Sequence, residues 1–394
     1  MEGKFYIEIN CQQRNHGNER VCGDVFLSRK IKEEGRTIVV LSDGLGHGIK
    51  ANLLATLTST LAVNFTEEHK SIDRIAEIIM ETLPVDREKQ LNYSTFTILD
   101  IEHDGHVSIL EYENPKTLFL RGTLIFEPGR NCIILNSDKN RGREILSTHF
   151  NAMKEDRIVF FSDGVIQSGL GSERLPTGWG EENVTHFIQE KINDEHDISA
   201  VKLASTIVNK ANHNDDFIPK DDISCAVVYF REPRKLMICS GPPHEPENDK
   251  TFAKILQLFD GKKIICGATT GNMIAREWGT DIFDEPVMHD PELPPISHMN
   301  GVDFITEGIL TLSKVSELLK IYTQDYNLGK GPADEIIRVV LESDEIDFLI
   351  GTSINIAHQD PTLPVELELR RTVVSRIIRL LDLKFLKETR VTYY

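Results

Sequence analysis

One pattern occurs twice in this chain and narrows its fold more than any other: a short apolar run that ends in Ser-Asp-Gly. Thr37 to Leu41 leads into Ser42-Asp43-Gly44, and Ile158 to Phe161 leads into Ser162-Asp163-Gly164. An apolar run of that length, rich in β-branched and aromatic residues and bounded by turn residues, reads as a buried strand. The carboxylate that follows stands where the strand emerges, beside a glycine that lets backbone approach a ligand closely. Two further acidic positions are of the opposite kind. Asp24 comes just before the strand from Val25, and Asp221-Asp222 just before the strand from Ile223. Antiparallel strands start where their neighbours end. Acids at two strand ends and two strand starts can therefore meet at one sheet edge, although about 200 residues separate the first from the last.

Four or five carboxylates gathered at one spot repel one another unless a cation neutralises them. All the candidate ligands are oxygens, which suits hard Mg²⁺ or Mn²⁺ better than zinc. Two such ions can share a carboxylate, lower the pKa of water and stabilise both oxygens of an in-line phosphoryl displacement. A single Asp-Gly is only a common turn dipeptide; its repetition after a strand, with two strand-initial acids, is what points to a metal centre. Gly44, Gly46 and Gly48 are spaced by two, which rejects a dinucleotide fingerprint.

The remaining composition excludes more than it suggests. With 62 acidic against 44 basic residues the net charge is −18, which argues against nucleic acid and anionic membrane as partners. Met1 to Asn10 lacks a signal-peptide pattern and no apolar stretch approaches the ~20 residues that span a bilayer, so a cytoplasmic protein is expected. The six cysteines include no Cys-x-x-Cys pair, so reduced thiols are expected.

A chain of 394 residues suits two or three domains at ~150 residues each, two being the economical count. Strand-like runs dominate the first part: Val25–Leu27, Thr37–Leu41, Phe96–Ile101, Val107–Tyr112, Thr117–Leu120, Cys132–Leu135, Ile158–Phe161 and Ile223–Phe230. Helical periodicity covers Ile49–Phe65, with Leu53, Leu54, Leu57 and Leu61 on one face, then Ser71–Leu83 and Ser199–His213. Many strands with a few long helices indicate α+β. The polar run Arg231-Glu232-Pro233-Arg234 marks a boundary, dividing residues 1–232 from 233–394. Beyond it strands at Leu236–Cys239, Ile264–Cys266, Val302–Ile305 and Ile346–Ile350 alternate with helices. Those helices are expected at Thr251–Phe259, Asn272–Trp278, Leu312–Tyr322, Ala333–Glu342 and Leu363–Leu383, giving a smaller α/β layered domain.

Gly23-Asp24, Asp43-Gly44-Leu45-Gly46-His47-Gly48, Ser162-Asp163-Gly164 and Asp221-Asp222-Ile223-Ser224 resemble, in order and spacing, the motifs of PP2C-type phosphatases. The Gly-rich segment with its histidine is similar to the bacterial stage II sporulation protein E branch, and Asn114-Pro115 to a further landmark. The resemblance covers about 220 residues. It implies an antiparallel β-sandwich flanked by helices that hydrolyses phosphoserine or phosphothreonine on a protein, with anti-sigma antagonists among the substrates of this branch. It also implies two Mn²⁺ or Mg²⁺ ions bridged by Asp43. The Gly44 carbonyl would bind one ion and Asp163 and Asp221 the other, Asp24 would act directly or through water, and Asp222 would take an Asn or Asp position. The chain departs from the eukaryotic pattern in having no obvious early phosphate-gripping arginine, Arg14 and Arg20 being the candidates. His47 has three readings: a general acid, a group that satisfies a helix N-terminus, or one that orients the Gly-rich loop.

A non-catalytic phosphatase-fold scaffold and a small-molecule phosphatase are the rival readings of these motifs. The second domain is expected to sense a small ligand or dock a protein partner. There Gly267-Ala-Thr-Thr-Gly271-Asn272 reads either as an anion-presenting turn or as a plain strand-to-helix turn. Cys239-Ser240-Gly241-Pro242-Pro243-His244 at another strand end reads either as a nucleophile or redox site or, with no partner residue identifiable, as a plain loop.

Overall fold

The computed structural model describes residues 5–394 apart from 18, 32, 69–71, 83–93, 136–137, 139, 324–325, 354–365 and 386. It divides into two compact units, Met1–Glu232 and Pro233–Tyr394. The first unit runs β1 (Tyr6–Arg14), β2 (Asp24–Ile31), β3 (Arg36–Gly44), α1 (Gly48–Glu67), α2 (Ile72–Thr82), β4 (Ser94–Ile101), β5 (His106–Tyr112), β6 (Leu118–Arg121), β7 (Leu124–Ile125) and β8 (Arg130–Ile134). It continues with β9 (Glu144–Asn151), β10 (Asp156–Phe161), α3 (Asp163–Gln167), α4 (Glu181–Asp194), α5 (Ala200–Asn214) and β11 (Ile223–Arg231).

Two antiparallel sheets result, ordered β1-β11-β10-β6-β7 and β2-β3-β4-β5-β9-β8. Side chains alternate across each strand, and here both faces are buried. Val39 and Leu41 of β3 meet Ala226, Val228 and Phe230 of β11 between the sheets. Ile38 and Val40 face outward against Ala62 and Val63 of α1, and Val227 and Tyr229 face outward against Leu203 and Ile207 of α5. Burial on both sides is why β3 and β11 read as continuous apolar runs rather than as alternation. The unit is a β-sandwich with helices on both outer faces.

Strand β1 is absent from the sequence reading, as are β7, β9 and the helices α3 and α4. Every residue of β1 is at least partly exposed, although it pairs with β11 from Tyr6↔Arg231 to Arg14↔Ile223. Helix α1 lies where expected with the opposite face inward, which corrects the leucine stripe. The buried residues are Ala51, Ala55, Thr58, Ser59, Ala62, Val63 and Thr66, whereas Leu53 and Leu57 are exposed. Close approach of the helix to the sheet selects small residues. The expected helix from Ser71 to Leu83 begins and ends outside the described residues, and its interior forms α2.

The second unit runs β12 (Lys235–Ser240), α6 (Asp249–Leu258), β13 (Lys262–Cys266), α7 (Ala268–Trp278), β14 (Ile282–Asp284), β15 (Ser297–Met299) and β16 (Val302–Thr306). Then come α8 (Ile309–Ile321), α9 (Pro332–Glu342), β17 (Glu345–Ile350), α10 (Glu366–Leu383) and β18 (Glu388–Tyr393). The first three residues of the helix expected from Leu363 lie outside the described residues. One sheet ordered β14-β15-β16-β13-β12-β17-β18 carries parallel pairs from β16 through β18 and an antiparallel hairpin at the β14 edge. Helices α8, α9 and α10 cover one face and α6 and α7 the other, a doubly wound α/β layer. Strands β14, β15 and β18 are the additions to the expected set: two are three residues long, and β18 is mostly exposed.

Candidate metal centre

The acids meet because of register. In the β2–β3 ladder Asp24 stands directly opposite Asp43. In the other sheet β10 ends at Phe161 and β11 begins at Ile223, so Asp163 and Asp221-Asp222 flank the same end of that pair. Two serines close the junction. Ser162 N donates to Ser224 O (3.0 Å), Ser224 N donates to Ser162 Oγ (3.0 Å), and Ser162 Oγ donates to Asp222 O (3.3 Å). Gly164 is required beside them, since a Cβ there would stand 2.2 Å from Asp222 O. Ser224 Oγ then crosses to the second sheet and donates to Asp24 Oδ2 at 2.6 Å. Gln13 holds the same serine (2.9 Å) and Asp24 O (3.3 Å), and the His16 N–H donates to Asp222 Oδ1 (2.9 Å).

Electrostatics at this edge is dominated by burial. Asp24 is 2% exposed, and desolvation pushes its carboxyl up to about 7 against the pull of Ser224 and Ser162. Burial, then the neighbouring acids Asp24, Asp163 and Asp221, hold Asp43 well above the usual carboxylate range. Asp163 is raised by burial too, and Asp221 reaches about 6 through burial and then the charge of Asp163. Asp43 stands beside Asp24 in the β2–β3 ladder and feels the charge of Asp163. Three buried oxygens, Asp24 Oδ1, Asp163 Oδ1 and Asp222 Oδ2, have no hydrogen-bond partner. Buried anionic oxygens without donors are costly unless a cation meets them, and an all-oxygen set fits Mg²⁺ or Mn²⁺. Among the described residues no group of three or more acid, histidine or cysteine side chains is spaced to hold a metal ion as it stands. The acids are gathered at one edge of the sandwich. None of them lines the cleft of about 640 Å³ between the Ser172–Leu175 loop, α4 and α5.

Gly44 is fixed by packing: a Cβ there would lie 2.0 Å from Ala51 O on α1. The Ser94 hydroxyl donates to Asp43 O at 2.8 Å and anchors the preceding peptide. His47 is the N-cap residue of α1, yet its side chain makes no capping bond. Its Nδ1 is 2.8 Å from Glu19 Oε1 and its ring stacks on His16 with centroids 4.7 Å apart. The side chain thus ties the Gly-rich loop to the β1–β2 connection. Neither arginine candidate is shown gripping the acidic edge. Arg14 is exposed and donates to Asn209 on α5 (3.4 Å), and Arg20 is exposed. Asn114 bonds Thr95 and donates to Thr97 Oγ1 (3.0 Å), tying the exit of β5 to β4. The sequence reading missed His16, Glu19 and Gln13, which have no motif of their own. Ser162 and Ser224 stood in the quoted motifs, and their repetition beside the acids was the available signal.

A sandwich of two antiparallel sheets with helices outside and acids at one edge is the architecture of a PP2C-type protein serine/threonine phosphatase. A model of the stage II sporulation protein E (SpoIIE) family matches residues 33–231, and the chain belongs to that family. A sequence search of curated proteins finds no match. Among solved structures, the phosphatase domain of SpoIIE from Bacillus subtilis is 14% identical. That alignment covers 59% of this chain and 95% of that one, with a TM-score of 0.43. RsbX in complex with magnesium is 16% identical over 58% of this chain and 98% of that one, with a TM-score of 0.41. The catalytic domain of PstP in complex with two manganese ions is 12% identical over 58% and 100%, with a TM-score of 0.38.

Proposed function

We propose that the first unit hydrolyses phosphoserine or phosphothreonine on a protein substrate at a centre of two Mn²⁺ or Mg²⁺ ions. The observation that carries this reading is the trio of buried, unpartnered oxygens on Asp24, Asp163 and Asp222 around Asp43. Asp43, the Gly44 carbonyl, Asp163 and Asp221 would hold the ions, with Asp24 acting directly or through water and Asp222 at an Asn or Asp position. Ions bound there supply positive charge for the phosphoryl oxygens and lower the pKa of water. The chain's own residues do the positioning. Ser224 occupies Asp24 Oδ2 and leaves Oδ1 free. The β2–β3 register fixes Asp24 against Asp43, and His47 with Glu19 holds the Gly-rich loop.

Protein substrates, small anti-sigma antagonists among them, are inferred from family membership, and with them a site of action in the cytoplasm. Among the described residues no helix is long and apolar enough to cross a membrane. The test uses the full chain and a phosphoserine peptide. Chelator-treated protein is expected to be inactive, to regain turnover with Mn²⁺ or Mg²⁺, and to regain little with Zn²⁺. Turnover that survives chelation, or no turnover with any of these ions, would reject the reading. The second outcome would favour a non-catalytic scaffold.

A further inference from the structure

One turn of the first unit combines a strained backbone with apolar side chains held in water. Asp216 and Phe217, between α5 and β11, both have positive φ, +53° and +65°. That left-handed region suits glycine, and a bulky residue there is strained. Phe217 and the next residue, Ile218, are nevertheless 68% and 65% exposed. The turn is fixed from several sides. Asp216 N donates to His213 O (3.1 Å), Phe217 N to Asn212 O (2.9 Å) and Ile218 N to Asp215 O (3.0 Å). The buried Asp215 carboxylate accepts from Gly169 N (2.7 Å) and Lys220 N (3.4 Å), and Lys220 Nζ donates to Leu170 O (2.6 Å). The fold gains nothing from large apolar side chains on the outside of such a turn, so strain and exposure together point to a surface that receives a partner.

The turn stands beside the acidic edge. Asp221 follows Phe217 by four residues, a stretch of chain that spans at most about 14 Å. Ile218 is tied to the same edge: its Cγ2 lies 2.6 Å from where a Cβ on Gly17 would stand, and the neighbouring His16 N–H donates to Asp222 Oδ1 (2.9 Å). On the other side α3 begins with Asp163, and the half-exposed Leu170 follows it on the segment that Asp215 and Lys220 hold. Asp216 and His213 also form part of the wall of the 640 Å³ cleft, whose size lies within the about 300–1,000 Å³ of ligand pockets. Trp179 and Phe187 line that cleft, packed edge-to-face with centroids 5.4 Å apart. Arg174 and Lys210 are offset there by Glu173 and Glu190, so the cleft does not select an anion. Aromatic rings inside a polar rim of both signs suit a polypeptide.

We propose that the Asp215–Ile218 turn and the adjoining cleft seat the polypeptide of the phosphoprotein substrate, with Phe217 and Ile218 against a large apolar side chain close in sequence to the phosphoserine. The inference rests on the phosphatase reading above and adds to it a determinant of sequence choice. A chain whose phosphoserine lies at the acidic edge passes these side chains, because they border the segments that carry Asp163 and Asp221. Large apolar anchors fixed on a rigid loop are the usual form of a recognition surface. The left-handed backbone at Phe217 fits this role, since the turn holds the ring outward.

The test uses the full chain with Mn²⁺ and phosphoserine peptides that carry leucine or serine at each of the four positions on either side of the phosphoserine. Leucine at one or more positions should raise kcat/KM about five- to tenfold over serine, the effect of burying one apolar side chain. Phe217→Asn removes the ring and keeps a residue that tolerates positive φ. It should abolish the leucine preference while the thermal midpoint holds or rises; the preference is a ratio on one protein, so a general change in turnover does not move it. Ile218→Ser, outside the strained pair, should weaken the preference in the same direction. The same peptides, fluorescein-labelled and bound to chelator-treated protein, give the preference as a ratio of dissociation constants without turnover. A wild type that turns over neither aryl phosphate nor peptide therefore rejects the phosphatase reading, while a leucine preference in binding that Phe217→Asn removes still supports the turn. Trp179 is one of two tryptophans, and in a Trp278→Phe background its fluorescence should change saturably as peptide enters the cleft. No leucine preference by either readout, an unchanged preference in a folded Phe217→Asn, or a silent Trp179 would overturn the proposal.

Discussion

At the scale of single residues, the acidic edge makes two measurable demands. On the proposed reading, replacing Asp43 with Asn removes the carboxylate charge that both ions would share. Turnover of an aryl phosphate should fall at least about a hundredfold, the usual size of losing one preorganised electrostatic group. The metal-free protein should keep or gain stability, since one of several repelling acids has gone. Parallel measurement of turnover and thermal midpoint checks both halves, and an active Asp43→Asn would remove that residue from the centre. The second demand concerns pH. Asp24 at about 7 and Asp221 at about 6 stand above their unfolded values near 3.9. The native state therefore binds more protons than the unfolded chain, and unfolding free energy falls as pH rises. That contribution is complete below about pH 4 and is lost as pH climbs through 6 and 7. In chelator the urea midpoint should drop between pH 5 and pH 8, and added Mn²⁺ should remove most of the drop; a flat or rising midpoint would contradict the burial argument. The acids themselves were legible in the sequence, because a carboxylate at each strand terminus is a local signal. His16 and Glu19 were not, because their roles depend on His47, 31 and 28 residues further along the chain.

At the scale of elements, α1 decides where Gly44 can be. Gly44→Ala places a Cβ 2.0 Å from Ala51 O, against backbone that cannot rotate away. It should destabilise by about 1–3 kcal/mol or more and reduce turnover together. Gly46→Ala meets open space and suffers only from φ +98°, so its loss should be about 1–2 kcal/mol. If thermal unfolding ranks the two the other way, the helix does not set the loop. Ala55→Leu should overpack the helix–sheet contact by about 1–3 kcal/mol, whereas Leu53→Ser should stay within about 0.5 kcal/mol. That last contrast reverses what the leucine periodicity of Ile49 to Phe65 suggests. Apolar spacing locates a helix but cannot say which stripe faces inward when alanine, serine and threonine allow closer packing than leucine. The buried strands β3, β10 and β11 were legible for the opposite reason, since apolar residues on both faces leave no orientation to guess.

At the scale of the whole molecule, each unit has its own buried clusters, and a fragment of residues 1–232 should fold alone. A single cooperative transition by circular dichroism and metal-dependent aryl-phosphate turnover would meet that expectation; an insoluble fragment would not. Comparing its turnover and metal affinity with those of the full chain tests whether the second unit regulates the first, because any such coupling must appear in binding free energies. Equal values would leave residues 233–394 as a targeting module. The pairing of β1 with β11 has a further consequence. The proposed ligands are spread from Asp24 to Asp222, and β11, which follows directly after the last of them, must pair with both β1 and β10. Contacts between such distant parts of the chain make folding slow, on the order of milliseconds to seconds. A ribosome-bound chain that has not yet released β11 therefore lacks a complete acidic edge. On the proposed reading, metal loading would follow completion of the sandwich, and a chain truncated before β11 would lack phosphatase activity.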